Sequence, residues 1–150
     1  MIKLKKYQDK NVGIFGLGKS GKAAMKFLLN SEANISVYDD KMPKPKKIQK
    51  VNWQHYKDWE WDKLYCVVIS PGIKIDGKVK HNCAKIANKN NVPLINEIQL
   101  LMEQNLSSKV IGVTGTNGKS SLISLLSHIL NYNKINNFIG GNFGNPACLI

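Results

Sequence analysis

An α/β fold with a parallel sheet is predicted by three features of the chain. Short apolar runs at 12–15, 35–38, 65–69 and 92–95 alternate with segments of helical periodicity at 19–30, 80–90 and 97–104. Two of the chain's glycine-rich turns, GLGKSG at 16–21 and GTNGKS at 115–120, each follow an apolar run and open a helical segment. Strand, turn and helix in that repeated order need right-handed crossovers onto a parallel sheet.

Each element has its own warrant. Val12, Gly13, Ile14 and Phe15 form a run short enough for a buried strand. KSGKAAMKFLLN, 19–30, sets Ala24, Phe27 and Leu28 on one helical face. ISVY at 35–38 is a second strand, ending at Asp39-Asp40. Residues 41–50 carry Pro43 and Pro45 and read as a loop. The segment 51–62 holds Trp53, Trp59 and Trp61 and reads as a short strand and loop whose aromatics cap the core. YCVVI at 65–69 is a strong buried strand, and Ser70-Pro71-Gly72-Ile73 turns at its end. A segment at 80–90 looks helical, with Ala84, Ile86 and Ala87 apolar; a strand at 92–95 and a helix at 97–104 follow. The polar joint 105–108 divides the chain into units 1–107 and 108–150. In the second unit 110–113 reads as a strand. The helix 119–130 carries Leu122, Leu125, Leu126, Ile129 and Leu130 on a core-facing side, and Phe138-Ile139 reads as a short strand. The closing GNPACLI is apolar and reads as a cut in mid-domain.

Composition narrows the function. With 43% hydrophobic residues the chain can bury a core. The net charge of +12 comes from lysine alone, since no arginine occurs. Arginine carries most bidentate base and phosphate recognition, so the charge argues against nucleic acid. In a chain rich in Asn and Ile the lysine excess reads as background composition, and anionic small substrates such as nucleotides fit it equally well. Cys66, Cys83 and Cys148 are odd in number and far apart, which fits reduced thiols in the cytoplasm. The N-terminus MIKLKKYQDK has no apolar core of signal-peptide length. No apolar stretch nears the roughly 20 residues of a membrane span.

Two loops carry the chemistry. Gly16-x-Gly18-x-x-Gly21 follows a strand and opens a helix, and Asp39 ends the next strand, which is the Rossmann-like fingerprint. A ligand's phosphates would meet the helix N-terminus, and Asp39 a sugar hydroxyl or base. Ligands of open sheets bind beyond the strand C-termini, so 16–20, 39–41 and 70–73 should line one crevice. The second loop, Gly115-Thr116-Asn117-Gly118-Lys119-Ser120, is a shortened P-loop: the full pattern needs glycine at 113, where Val113 stands. Lys119 would reach the outer phosphates and the Ser120 hydroxyl would ligate Mg²⁺. In Gly140-Gly141-Asn142-Phe143-Gly144 the Asn142 amide can bridge substrate oxygens. His55, His81 and His128 are isolated and read as surface or cap residues. The residues alone leave room for a nicotinamide- or flavin-dependent oxidoreductase built on 16–39, and for a non-catalytic P-loop nucleotide-binding module.

With these motifs in hand, VGIFGLGKSGKA, VYDDKM, VVISPGI, VPLINEIQLL, VTGTNGKSS and GGNFGNPA resemble, in order, the N-terminal part of the Mur ligases. These are ATP-dependent amide-bond ligases of bacterial peptidoglycan precursor synthesis. The SPGI turn and the first glycine pattern look most like the branch that adds D-glutamate to UDP-N-acetylmuramoyl-L-alanine. The resemblance implies a Rossmann-like domain at 1–107 that holds the UDP-sugar, followed by the first part of a P-loop-type α/β ATPase domain at 108–150. It implies Gly18, Lys19 and Ser20 at the diphosphate, and Asp39, Asp40 and Lys41 around uracil and ribose. Gly72 and Asn142 would complete those contacts. Gly115, Thr116, Asn117, Gly118, Lys119, Ser120 and Ser121 would surround ATP. Lys119 and Ser120 would be catalytic, with Ser120 on Mg²⁺. Family chemistry phosphorylates the alanine carboxylate, and the D-glutamate amine then displaces phosphate from the acyl phosphate. Two departures stand out: Lys41 where many relatives carry arginine, and Ser121 where threonine is usual. The remaining catalytic residues of the family lie beyond position 150, so this chain alone is expected to have no ligase activity.

Overall fold

The computed structural model describes residues 3–44, 48–77, 80–104, 108–141 and 145–149. Five strands, β1 (Asn11–Phe15), β2 (Asn34–Tyr38), β3 (Val51–Trp53), β4 (Leu64–Ile69) and β5 (Leu94–Ile95), form one sheet. Every pairing is parallel and the order is β3-β2-β1-β4-β5. The helices are α1 (Lys19–Asn30), α2 (Asn82–Lys89), α3 (Glu97–Met102) and α4 (Lys119–Tyr132). The strand order reverses between β1 and β4. Phe15 pairs with Tyr38 on one side and Ile69 on the other, so three strand C-termini end side by side.

The sheet is covered on both faces, and side-chain alternation divides the core accordingly. Val12, Ile14, Ile35, Val37, Cys66 and Val68 face Phe27 and Leu28 of α1 and Leu100 of α3. Phe15, Val67 and Ile69 face the opposite way, onto Trp59, Trp61 and Cys83. Trp59 and Trp61 thus cap this second layer, as expected, while Trp53 is half-buried. Gly13 is small for a reason: a Cβ there would lie 2.6 Å from the Trp59 ring. α3 begins with a reciprocal capping box, Asn96 accepting from the Gln99 N–H and Gln99 from the Asn96 N–H.

The second unit departs from expectation at three points. Residues 110–113 and Phe138-Ile139 are not strands, and Val110, Ile111 and Phe138 are 50%, 64% and 82% exposed. A strand needs a neighbour for its N–H and C=O groups, and among the described residues none pairs with either segment. α4 forms where expected. Its apolar face, however, is not core: Leu122, Leu125 and Ile129 are exposed and Leu126 and Leu130 only half-buried. The described residues supply no sheet for it to lie on.

One segment beyond the polar joint returns to the first unit. The short turn Ala147–Leu149 packs against α1 and α3, and Cys148 is fully buried in the core beside them. Its N–H donates to Glu97 Oε1 at 2.6 Å, and the Gln104 amide donates to its carbonyl at 3.3 Å. All three cysteines are free and buried. No helix among the described residues is long and apolar enough to cross a membrane.

Candidate functional site

The turn after β1 is stitched to both neighbouring strands. Gly16 N–H donates to the Tyr38 carbonyl at 2.9 Å, Ser70 N–H to the Phe15 carbonyl at 3.0 Å, and Ser70 Oγ to the Gly16 carbonyl at 2.9 Å. Gly16 has φ +93, a left-handed conformation that favours glycine. Gly18 is the N-cap of α1, and its missing side chain leaves the first-turn N–H groups without a side-chain cap. Lys19 and Ser20 are the first two helical residues.

Asp39 closes the arrangement from β2. Its Oδ2 accepts the Leu17 N–H at 2.6 Å, and its Oδ1 accepts the N–H groups of Lys41 and Met42, both at 2.8 Å. Burial pushes this carboxyl up. The three N–H donors and the Lys41 charge outweigh burial and hold it below its ordinary value of 3.8.

The result is a crevice of about 360 Å³ at the strand C-termini, lined by Phe15 and by every residue of 16–20, 39–41 and 70–73 except Leu17, among them the seven that the resemblance implies for the UDP-sugar: Gly18, Lys19, Ser20, Asp39, Asp40, Lys41 and Gly72. Two ammonium groups, a helix N-terminus and two carboxylates share this wall, which suits a ligand with both phosphates and hydroxyl or N–H donors. Asn142 lies outside the described residues.

Residues 10–96 match the family model for the Mur ligase MurD-like N-terminal domain. The chain belongs to the MurD-like Mur ligases. Among curated relatives it is 38% identical over 151 residues to the UDP-N-acetylmuramoylalanine--D-glutamate ligase of Wolbachia pipientis wMel, covering 97% of this chain and 29% of that protein. The ligase of the same name from Rickettsia bellii is 35% identical over 145 residues, 94% of this chain and 31% of its own length. That from Rhodospirillum rubrum is 34% identical over 154 residues, 98% of this chain and 32% of its own. The MurD-like chain therefore spans about three tenths of the length of the relatives it matches. Those relatives align over nearly the whole chain, the match to the family model across the sheet that builds the crevice.

The second loop of this MurD-like chain is a separate arrangement. Gly115 and Gly118 have φ +150 and +76, and Gly118 stands at the N-cap of α4 with no side-chain cap. Lys119 curls back over the loop, its Nζ donating to the Gly115 carbonyl and, at 3.2 Å, to that of Thr116. Thr116, Asn117, Ser120 and Ser121 are exposed. Among the described residues no group of three or more His, Cys, Asp or Glu could hold a metal ion. Ser120 offers one hydroxyl without carboxylates, so this donor set does not by itself make a Mg²⁺ site.

Sequence reading missed how His81 is used. It caps α2, its Nδ1 accepting the Cys83 N–H at 3.1 Å, as a cap residue should. It also reaches Asp40, Nε2 to Oδ2, at 3.1 Å. No motif signals this, because the two residues lie 41 positions apart in the chain.

Proposed function

We propose that this chain carries the nucleotide-sugar site and the opening phosphate loop of an ATP-dependent acid–amino-acid ligase. Its substrates would be UDP-N-acetylmuramoyl-L-alanine and D-glutamate. The observation that carries the reading is the convergence of Gly18, Lys19, Ser20, Asp39, Asp40, Lys41 and Gly72 on one crevice at the point where strand order reverses. In this reading the open N–H groups of α1 and the Lys19 ammonium hold the diphosphate. Asp40 and Lys41 face the uracil and ribose, Asp39 shapes the wall between them, and Gly72 and Asn142 complete the contacts. Lys41 acts as a point charge, without the planar stacking an arginine would give. Gly115, Thr116, Asn117, Gly118, Lys119, Ser120 and Ser121 take the triphosphate. ATP with Mg²⁺ supplies the phosphoryl group when bound. Lys119 would leave its loop carbonyls to meet phosphate oxygens.

The test is a thermal-shift comparison with UDP-N-acetylmuramoyl-L-alanine, ATP·Mg²⁺ and NADH. The UDP-sugar at a hundred times its Kd should add about 2.7 kcal/mol of stability. Stabilisation by NADH alone would overturn the reading. The purified chain is expected to release no phosphate on addition of D-glutamate, UDP-sugar and ATP. A measurable D-glutamate-dependent rate would refute that expectation.

A further inference from the structure

The crevice has two adjacent acids in different situations. Both oxygens of Asp39 are engaged by backbone N–H groups. Asp40 stands at the lip with its side chain 47% exposed, next to Lys41 in sequence and sharing the crevice wall with Lys19. An untethered carboxylate there would swing onto either ammonium and neutralise the cation that an anionic ligand needs. What holds it is His81, at 3.1 Å.

His81 is itself fixed from several sides. Its ring lies 4.6 Å from the Phe15 ring, centroid to centroid, and meets Tyr56 edge-on at 5.6 Å. Its backbone N–H donates to the Lys74 carbonyl at 2.9 Å. Its Nδ1 must keep a lone pair to cap α2 at Cys83, which leaves the ring proton on Nε2, facing Asp40 Oδ2. The cap thus selects the tautomer, and the tautomer supplies the donor. A neutral ring suffices for both bonds.

We infer that His81 is a positioning residue of the nucleotide site. Through its hydrogen bond it holds the Asp40 carboxylate toward the base-and-sugar end of the crevice and away from Lys19 and Lys41. This inference rests on reading the crevice as a uridine-nucleotide site.

A double-mutant cycle on this chain tests it, with uridine 5′-diphosphate as probe and calorimetric titration as readout. His81→Asn keeps an N-cap of the preferred kind but is too short to reach Asp40. Its melting temperature should stay near wild type, while UDP binding weakens roughly tenfold, the scale of a lost hydrogen bond to a charged group. In an Asp40→Ala background the same change should cost nothing further. Equal losses in both backgrounds, or none in wild type, overturn the positioning role while leaving the nucleotide reading intact. Failure of the wild-type chain to bind UDP overturns both. Should His81→Asn melt well below wild type, His81→Ser, also a good cap, takes its place in the cycle with the same expected coupling.

Discussion

Asp39 Oδ2 accepts the backbone N–H of Leu17 at 2.6 Å, across 22 residues of chain. With Oδ1 on Lys41 and Met42, one carboxylate ties the glycine turn after β1 to the turn after β2. The motif spacing marks Asp39 as an acid that meets ligand. The geometry makes it a brace for the loop that meets ligand.

Asp39→Ala should therefore lower stability as well as UDP-sugar affinity. Three N–H groups lose their acceptor, and the cost should be about 1–3 kcal/mol. Urea unfolding measures it. A variant with an unchanged midpoint and only weaker binding would remove the brace and leave a pure ligand contact.

The same carboxylate gives a pH dependence with a definite sign. Its folded pKa lies below the ordinary 3.8. The unfolded state therefore takes up the proton first as pH falls. The stability contribution is complete above the unfolded value and disappears as pH drops through the folded one. The stability gap between wild type and Asp39→Asn should hold above the ordinary value of 3.8 and narrow as the pH falls below it, because a protonated acid resembles the amide. A gap that stays constant through that fall would count against the pair of turns being held by charge.

Gly18 and Gly21 separate the two jobs of the fingerprint. A Cβ on Gly21 would sit 1.9 Å from the Gly16 carbonyl oxygen, a backbone clash that no rotamer relieves. A Cβ on Gly18 meets nothing within 4 Å and points into open space beside the crevice. Gly21→Ala should cost at least about 3 kcal/mol, the upper end of overpacking penalties. Gly18→Ala should melt near wild type and bind UDP more weakly, because in the proposed reading the methyl would stand where the phosphates approach. Thermal melts with UDP titrations on both variants check this. Equal destabilisation by both would refute the division.

What was legible in the sequence follows from locality. α1 is bounded by a glycine turn and a strong apolar face, so its limits 19–30 are readable residue by residue. The crevice was legible because parallel strands deliver their C-terminal turns to one edge. Val110–Val113 misled for the converse reason: a strand is a property of a pair, and an apolar run carries no partner within itself. The α4 stripe misled likewise, since periodicity shows that a face is apolar without supplying what it packs against. The His81–Asp40 contact spans 41 positions of loop and strand and leaves no local trace.

Cys148 supplies a reporter for the last contact that sequence reading did not foresee. Its thiol is pushed up to about 12, chiefly by burial, with the Glu97 charge adding to it. Burial likewise pushes Cys66 and Cys83 up to about 12. At neutral pH none of the three should react readily with a thiol reagent in the folded chain, and all should react once it unfolds. Glu97 is 5% exposed and holds the Cys148 N–H at 2.6 Å. Glu97→Ala leaves that buried N–H without its acceptor, at about 1–3 kcal/mol, and the short turn 147–149 should open locally. Cys148 should then label about five- to 150-fold faster, the range that about 1–3 kcal/mol of local opening implies. Cys66 and Cys83 should stay protected, because β4 and α2 do not move. Glu97→Gln, which keeps an acceptor oxygen, should label slowly. Mass spectrometry of the modified peptides distinguishes the sites. Fast labelling of Cys148 in the wild-type chain would mean that the turn does not rest on α1 and α3.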